Sequence, residues 1–182
     1  METQRRDVVR NRQRILDAAA AAHARGEALA LNAIARAADT GVATVYRHFA
    51  SVEALEETLV WSRFDELRAM LHPSSAASID SVLEKYFALL LGDQLFETVI
   101  SRADCALERT GELRDELIEA LSSFMAREAT SGRLRADLEP NDLLALLCGL
   151  AYSARTLGAT ADDPRGRMLF GVLMSGLRPP RS

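Results

Sequence analysis

The sequence has 182 residues, of which 48% are hydrophobic but only 5% are aromatic. This length fits one compact unit, or a small domain fused to a medium one. The formal net charge is −4, yet residues 1–50 contain eight arginines and only five acidic residues. The charge therefore excludes a chain that coats nucleic acid along its whole surface, and it leaves the N-terminal segment as the part suited to phosphate.

Neither a membrane span nor a metal or disulfide site is indicated. No apolar run approaches the ~20 residues that a spanning helix needs. The start, METQRRDVVRNRQR, is polar and arginine-rich without a following apolar stretch and cleavage site, so we expect a cytoplasmic protein. Cys105 and Cys148 lie far apart without C-x-x-C spacing, and we therefore expect no metal and no cofactor.

Apolar positions at helical spacing, separated by glycine, proline and serine, predict an all-α fold of about nine helices. The expected helices cover about residues 5–25, 31–38, 42–48, 52–72, 79–91, 94–109 and 113–130, a segment that starts at Glu139-Pro140-Asn141, and 163–177. Ser51 is expected to cap the fourth helix. A break near Gly111 is expected to separate the sixth helix from the seventh.

Residues 31–49 have the pattern of a helix-turn-helix motif. Two short helices flank the turn Asp39-Thr40-Gly41, and a longer helix precedes them. In such motifs the second helix lies in the major groove and the first braces it. Val45 and Phe49, four residues apart, are expected to face the core, which turns the side chains of Ala43, Thr44, Arg47 and His48 outward.

The string GVATVYRHF, followed by S-x-E-A-L, closely resembles the DNA-binding domain of TetR/AcrR-family transcriptional regulators. The segments I-L-D-A-A and A-I-A-R-A-A are also similar to that family, and the resemblance covers about residues 10–60. It implies a DNA-binding domain over residues 1–50 and a ligand-binding and dimerisation domain over 51–182. The residues that it assigns to DNA contact are Val42, Ala43, Thr44, Tyr46, Arg47, His48, Arg5 and Arg10.

The resemblance also implies a role for each of these side chains. Tyr46 and His48 would contact phosphates, and Thr44 a phosphate or a base edge. Arg47 would reach a phosphate or a guanine. Val42 and Ala43 are small enough for close approach to bases, while Arg5, Arg6, Arg10 and Arg12 would form a phosphate-binding arm.

Four residues at three sites depart from the family pattern and predict weaker or less rigid DNA binding. Asp39-Thr40 replaces a usual Gly-Val, although aspartate tolerates a left-handed backbone better than most residues. Val52 replaces a frequent lysine or arginine, and Ala30 stands where a serine or threonine cap is common.

The run from Leu143 to Ala151 is apolar on nearly every side, so part of its cover is expected to come from a second copy of the chain. The expected dimerisation residues are Leu143, Leu147, Leu150, Leu169, Val172 and Leu173. The candidates for lining a cavity for a small, largely apolar effector are Trp61, Phe64, Phe87, Phe96, Phe124 and Tyr152, although any one such residue is more often plain core than a ligand contact.

The sequence thus predicts a homodimeric repressor that a small molecule releases from a pseudo-palindromic operator in double-stranded DNA. The alternative is a helical small-molecule or protein-interaction module whose DNA-binding head is weakened or lost. The motifs H-E-x-x-H and G-x-S-x-G and a phosphate-cradling glycine loop are missing from the sequence, so we do not expect an enzyme.

Overall fold

A computed structural model describes residues 2–72 and 78–179, with side chains from residue 6 onward. Within these ranges all regular structure is helical, which confirms the all-α prediction. The nine helices found there are α1 (Glu2–Ala24), α2 (Leu31–Ala37), α3 (Val42–His48), α4 (Val52–Leu71), α5 (Ile79–Gly92), α6 (Gln94–Ser101), α7 (Glu108–Thr130), α8 (Pro140–Thr156) and α9 (Pro164–Leu177). None of the helices in the described part of the chain is long and apolar enough to cross a membrane.

The predicted break near Gly111 is wrong, because Gly111 lies inside α7. The chain leaves the helical path earlier, between Ser101 and Glu108. Side chains distant in sequence stabilise this earlier break. Arg114 donates to the carbonyls of Ile100 and Arg102 at the end of α6, so the exposed carbonyls there are satisfied.

The start of α7 is held by a buried carboxylate from α4. Glu57 is only 1% exposed, and its two oxygens accept hydrogen bonds from the backbone N–H groups of Ala106 and Leu107 at 2.7 and 2.9 Å. Both residues immediately precede α7, so no helical carbonyl is available to accept from their N–H groups. The carboxylate of Glu57 is the acceptor instead. Glu57 therefore fixes where α7 begins.

The chain forms two compact units. The first, which we call the head, comprises Met1–Trp61 and Asp104–Thr110, and the second comprises Ser62–Ala103 and Gly111–Ser182. Both α4 and α7 therefore contribute residues to each unit. The buried core of the head consists of Ile15, Ala19, Ala22, Leu31, Ile34, Ala35, Ala38, Val45, Phe49 and Leu55.

In the second unit α5 packs against α6, α8 and α9. Its buried side chains include Phe64, Leu67, Val82, Leu83, Phe87, Leu90, Phe96, Leu117, Leu121, Leu143 and Leu147. Burial of a side chain of this size stabilises a fold by about 1.5–3 kcal/mol, so this core is large enough to hold the unit together.

Candidate nucleic-acid interface

The third helix is anchored to the head by two side chains on one of its faces. Val45 is 0% and Phe49 2% exposed, and both belong to the head core with Ile15 and Ile34. The spacing of four residues places them on the same side of α3. The inward orientation predicted for both is confirmed.

The opposite face of α3 is open to solvent. Tyr46 is 50% and Val42 43% exposed, and Ala43 and Arg47 are also exposed. Thr44 and His48 are half-buried at the margin of this face. The outward face thus combines small apolar side chains with hydroxyl, imidazole and guanidinium groups, which can meet both base edges and phosphates.

A tight turn sets the position of α3 after α2. Thr40 N–H donates to the Ala35 carbonyl at 3.0 Å, and Asp39 N–H donates to the Arg36 carbonyl at 3.1 Å. This pair of bonds is the Schellman motif, and its left-handed position is Asp39, with φ of 47°. The aspartate that replaces the usual glycine therefore does adopt the left-handed backbone.

The turn has a support that the sequence analysis missed. Arg14 on α1 donates to the backbone carbonyl of Asp39 at 3.0 Å and contacts its carboxylate at 3.3 Å. The two residues are 25 positions apart, so no local pattern could have indicated the contact. Arg14 is thereby directed to the protein, away from a phosphate-binding arm.

The other arginines of α1 differ in their surroundings. Arg6 and Arg10 are exposed, whereas the guanidinium carbon of Arg12 lies 4.7 Å from the centre of the Phe49 ring in a cation–π contact. The side chain of Arg5 lies outside the described residues. Arg6 and Arg10 thus remain candidates for phosphate contact, and Arg12 also packs on the end of α3.

His48 lies close to two positive charges. Partial burial lowers its pKa from the ordinary value, and the charges of Arg12 and Arg47 lower it further. The imidazole is therefore mostly neutral at neutral pH in the free protein, and a nearby phosphate would favour its protonated form.

A concavity of about 400 Å³ lies beside Tyr46. It is lined by Leu29, Ala30, Leu31, Asn32, Tyr46, Ala50, Ser51 and Val52. Ser51 caps α4, its Oγ accepting from Ala54 N–H at 3.2 Å, as predicted. Ala30 gives α2 no side-chain cap, and Val52 packs against the head core without supplying a positive charge.

The family comparison concerns this same part of the chain. Residues 15–58 match the family model described as bacterial regulatory proteins, tetR family. The match includes the turn and all of α2 and α3. This segment of the chain is therefore similar to tetR-family regulatory proteins. A comparison with curated protein sequences gives no match.

Solved structures of tetR-like fold extend the likeness along the chain. Salmonella enterica GusR shares 20% identity with a TM-score of 0.62, covering 92% of this chain and 95% of its own. FadR from Bacillus subtilis, solved with stearoyl-CoA, shares 17% identity with a TM-score of 0.61, covering 91% and 99%. CprB from S. coelicolor A3(2) shares 18% identity with a TM-score of 0.60, covering 94% and 90%. At these identities the likeness establishes the fold.

The aromatic residues expected to line a cavity are only partly brought together in the structure. The rings of Phe64 and Phe96 meet edge to face at 5.2 Å, both fully buried. Phe87 instead stacks on Phe170 at 5.5 Å, and Phe124 is buried with the Arg127 guanidinium 5.6 Å from its ring.

Two other predicted cavity residues do not fit that expectation. Tyr152 is 62% exposed on α8, so it lies on the surface. Trp61 belongs to the head, and its indole N–H donates to the Thr110 hydroxyl at 3.0 Å. Its polar atom is thus already paired within the protein.

The dimerisation residues expected in α8 and α9 also separate into two sets. Leu143 and Leu147 are 0% exposed and pack inside their own protomer, so they offer nothing to a partner. Val172 is 66% exposed, and Leu150, Leu169 and Leu173 are half-buried. Leu146 and Met168, which the sequence analysis did not select, are exposed as well.

Proposed function

We propose that this chain is a DNA-binding transcriptional repressor of the tetR family that acts in the cytoplasm and that a small molecule releases from its operator. The observation that carries the proposal is the division of α3 into a buried face and an exposed face. Val45 and Phe49 fix the helix, while Val42, Tyr46 and Arg47 project into solvent. A helix held in this way can enter the major groove without unfolding.

The exposed side chains match the groups that a duplex presents. Arg47 can form a bidentate pair with guanine, which discriminates between bases by about 1–3 kcal/mol. Val42 and Ala43 allow close approach to a thymine methyl group. Tyr46, Thr44 and His48 reach the flanking phosphates, with Arg10 following from α1.

The charge of the N-terminal segment supports phosphate contact. Its arginines exceed its acidic residues, whereas the remainder of the chain is acidic. Each phosphate neutralised releases counterions, so the logarithm of affinity falls with the logarithm of salt by about 0.9 per contact. Steep salt dependence is therefore expected of operator binding.

A homodimer would supply two heads for a pseudo-palindromic operator. Leu146, Met168 and Val172 are each about half exposed or more in the single chain, which is a large apolar area to leave in water. A second copy seated on α8 and α9 would cover it. Two heads spaced about 34 Å apart would then reach successive major grooves on one side of the duplex.

The second unit is the proposed site of the effector, which we expect to be small and largely apolar. Its interior is built from aliphatic and phenylalanine side chains, including Phe64 and Phe96. An apolar cavity with few polar groups suits such a molecule. An effector that binds one arrangement of the dimer better than the other would shift the population away from DNA.

The deciding experiment is a gel-shift titration against the intergenic DNA that flanks the gene. Wild type should bind saturably, and Tyr46→Ala and Arg47→Ala should lose most of that binding. Lys85→Ala is the charge-matched control, because Lys85 is exposed on α5 in the second unit, outside the apolar surface of α8 and α9. If wild type retains no duplex at low salt, the repressor proposal fails and a weakened head becomes the better account.

A further inference from the structure

Tyr86 places a polar atom in the interior of the second unit. The residue lies on α5, on the buried face that it shares with Val82, Leu83 and Leu90. Its side chain is 1% exposed, so the phenol group is out of reach of solvent. Burial raises the pKa of Tyr86 above its ordinary value, and the hydroxyl therefore keeps its proton. It can both donate and accept a hydrogen bond.

The hydroxyl oxygen of Tyr86 has no hydrogen-bond partner among the described residues. Buried tyrosine hydroxyls usually have one, because removing the group from water without a partner is unfavourable. Glu128, the other buried polar side chain described in the second unit, accepts from Arg133 through both of its oxygens, at 2.7 and 3.0 Å. Within the described ranges, therefore, no fully buried polar side chain of the second unit is left to pair with Tyr86.

Packing alone does not require a tyrosine at this position. The next residue, Phe87, is also 1% exposed and fills the core with the same ring without a hydroxyl. Phe64 and Phe96 do so on α4 and α6, where their rings meet at 5.2 Å. A phenylalanine at position 86 would bury its ring without leaving a polar atom unpaired. The hydroxyl thus destabilises the free chain, and departures of this kind are typical of functional sites.

The surroundings of the hydroxyl also indicate the charge of its partner. Burial is the only cause that shifts the pKa of Tyr86, so no charged side chain of the described residues acts on the hydroxyl. A carboxylate or ammonium group placed there would lack a counter-charge, and burying an unpaired charge is far more unfavourable than burying a neutral polar group. A ketone, ester or alcohol oxygen can pair with the hydroxyl without that penalty. The partner that fits is therefore an uncharged oxygen.

We propose that the Tyr86 hydroxyl is the hydrogen-bonding group of a small-molecule site in the second unit, and that its ligand is an apolar molecule bearing an uncharged oxygen. The ligand is the effector of the function proposed above, and only that identification rests on the proposed function. The apolar interior supplies most of the affinity, while the hydroxyl orients the ligand. Because the hydroxyl is unpaired in the free chain, pairing it on binding is a gain that a hydrocarbon of equal shape cannot supply.

The first test of this site needs no ligand. Tyr86→Phe removes only the hydroxyl, so urea denaturation should give an unfolding midpoint equal to or above that of wild type. Tyr152→Phe is the matched control, because Tyr152 is 62% exposed on α8, and its midpoint should equal that of wild type. A lower midpoint for Tyr86→Phe would show that the hydroxyl is already bonded to the protein or to an internal water, and it would overturn the proposal.

The second test measures selectivity with probes of matched shape. Three series, built on a phenyl, a naphthyl and an octyl group, each comprise a methyl ketone, the isopropenyl hydrocarbon of the same shape and the corresponding carboxylate. Equilibrium dialysis gives the Kd of each compound for wild type, Tyr86→Phe and Tyr152→Phe. The ketone and the hydrocarbon differ only in the oxygen, so the ratio of their Kd values reports the hydrogen bond.

In at least one series, wild type and Tyr152→Phe should bind the ketone about tenfold more tightly than the hydrocarbon or the carboxylate. Tyr86→Phe should bind ketone and hydrocarbon equally, with an unchanged affinity for the hydrocarbon. The proposal is overturned by a preference for the carboxylate, by equal affinity for ketone and hydrocarbon in wild type, by a ketone preference that survives in Tyr86→Phe, or by no binding in any series. Failure of the repressor proposal shows instead in the gel shift, which contains no probe.

Discussion

The guanidinium of Arg14 donates a hydrogen bond to the backbone carbonyl of Asp39 over 3.0 Å, and the same nitrogen lies 3.3 Å from the Asp39 carboxylate. This contact joins α1 to the one non-glycine residue of positive φ in the described ranges. The carboxylate is fully exposed, so water screens this ion pair and it contributes little to stability. Arg14 thus supports the turn mainly through its hydrogen bond to the Asp39 backbone carbonyl.

The left-handed backbone at residue 39 can be tested by substitution. Asp39→Val should lower the free energy of unfolding by about 1–2 kcal/mol, since a β-branched side chain clashes with the following carbonyl in that conformation. Asp39→Gly, which meets no such clash, should be at least as stable as wild type. Urea denaturation measures both, and a fully stable Asp39→Val would contradict the turn geometry.

Operator binding should depend on pH through His48. Partial burial is the main cause that keeps the pKa of His48 below its ordinary value in the free protein, and the charges of Arg12 and Arg47 lower it further. A phosphate raises that pKa, so complex formation takes up a proton and affinity should rise as pH falls from about 8 to about 6. Fluorescence anisotropy across this range measures the slope. His48→Gln should flatten it, and an unchanged slope in that variant would exclude the imidazole as the source.

Two substitutions that restore the family pattern should strengthen the head. Ala30→Ser supplies the missing cap of α2 and should raise the free energy of unfolding by about 0.5–2 kcal/mol.

Val52→Lys keeps an aliphatic stem against the core and adds a positive charge. The salt dependence of operator binding should therefore steepen by about one phosphate contact. Val52→Gln is the uncharged control. If Val52→Gln steepened the salt dependence of operator binding as much as Val52→Lys, the result would argue against a phosphate contact.

The buried carboxylate of Glu57 should be important for stability. Glu57→Ala removes the carboxylate that accepts from the N–H groups of Ala106 and Leu107, and a hydrogen bond to a charged group contributes about 1.5–3 kcal/mol. Glu57→Gln retains one acceptor oxygen, so its free energy of unfolding should fall by less than that of Glu57→Ala. Thermal unfolding followed by circular dichroism compares them, and equal losses in the two variants would show that acceptor count does not matter here.

The proposed dimer surface can be tested by placing a charge on it. Val172→Glu should shift the protein towards monomer and reduce operator binding, because a carboxylate would be buried in an apolar contact. Arg167→Glu, at another exposed position of α9, serves as the control. Sedimentation velocity reports the mass of each. A Val172→Glu protein that remains dimeric would move the interface elsewhere.

The sequence predicted those features that depend on local spacing. The inward orientation of Val45 and Phe49 follows from helical periodicity within a single short segment, and most helix bounds follow from nearby serine, glycine and proline. The break between α6 and α7 was misplaced because Glu57 and Arg114, distant in sequence, determine it. Local spacing carries no information about such contacts.

The assignment of faces in α8 failed for a different reason. A helix that is apolar on nearly every side has no periodic signal to distinguish its inner from its outer surface. Leu143 and Leu147 therefore could not be told apart from Leu146 by pattern alone, yet the first two are buried and the third is exposed. Packing of α8 against α5, α6 and α9 decides between them.

The separation of anchoring and outward-facing side chains on α3 has a consequence for evolution. Val45 and Phe49 hold the helix, while Val42, Ala43 and Arg47 make little contact with the rest of the head. Exchange of the outward set should leave the fold almost unchanged, since exposed substitutions usually alter stability by less than about 0.5 kcal/mol. Descendants of this chain could thus acquire new target sites one base contact at a time, and a library randomised at these three positions could do the same in the laboratory.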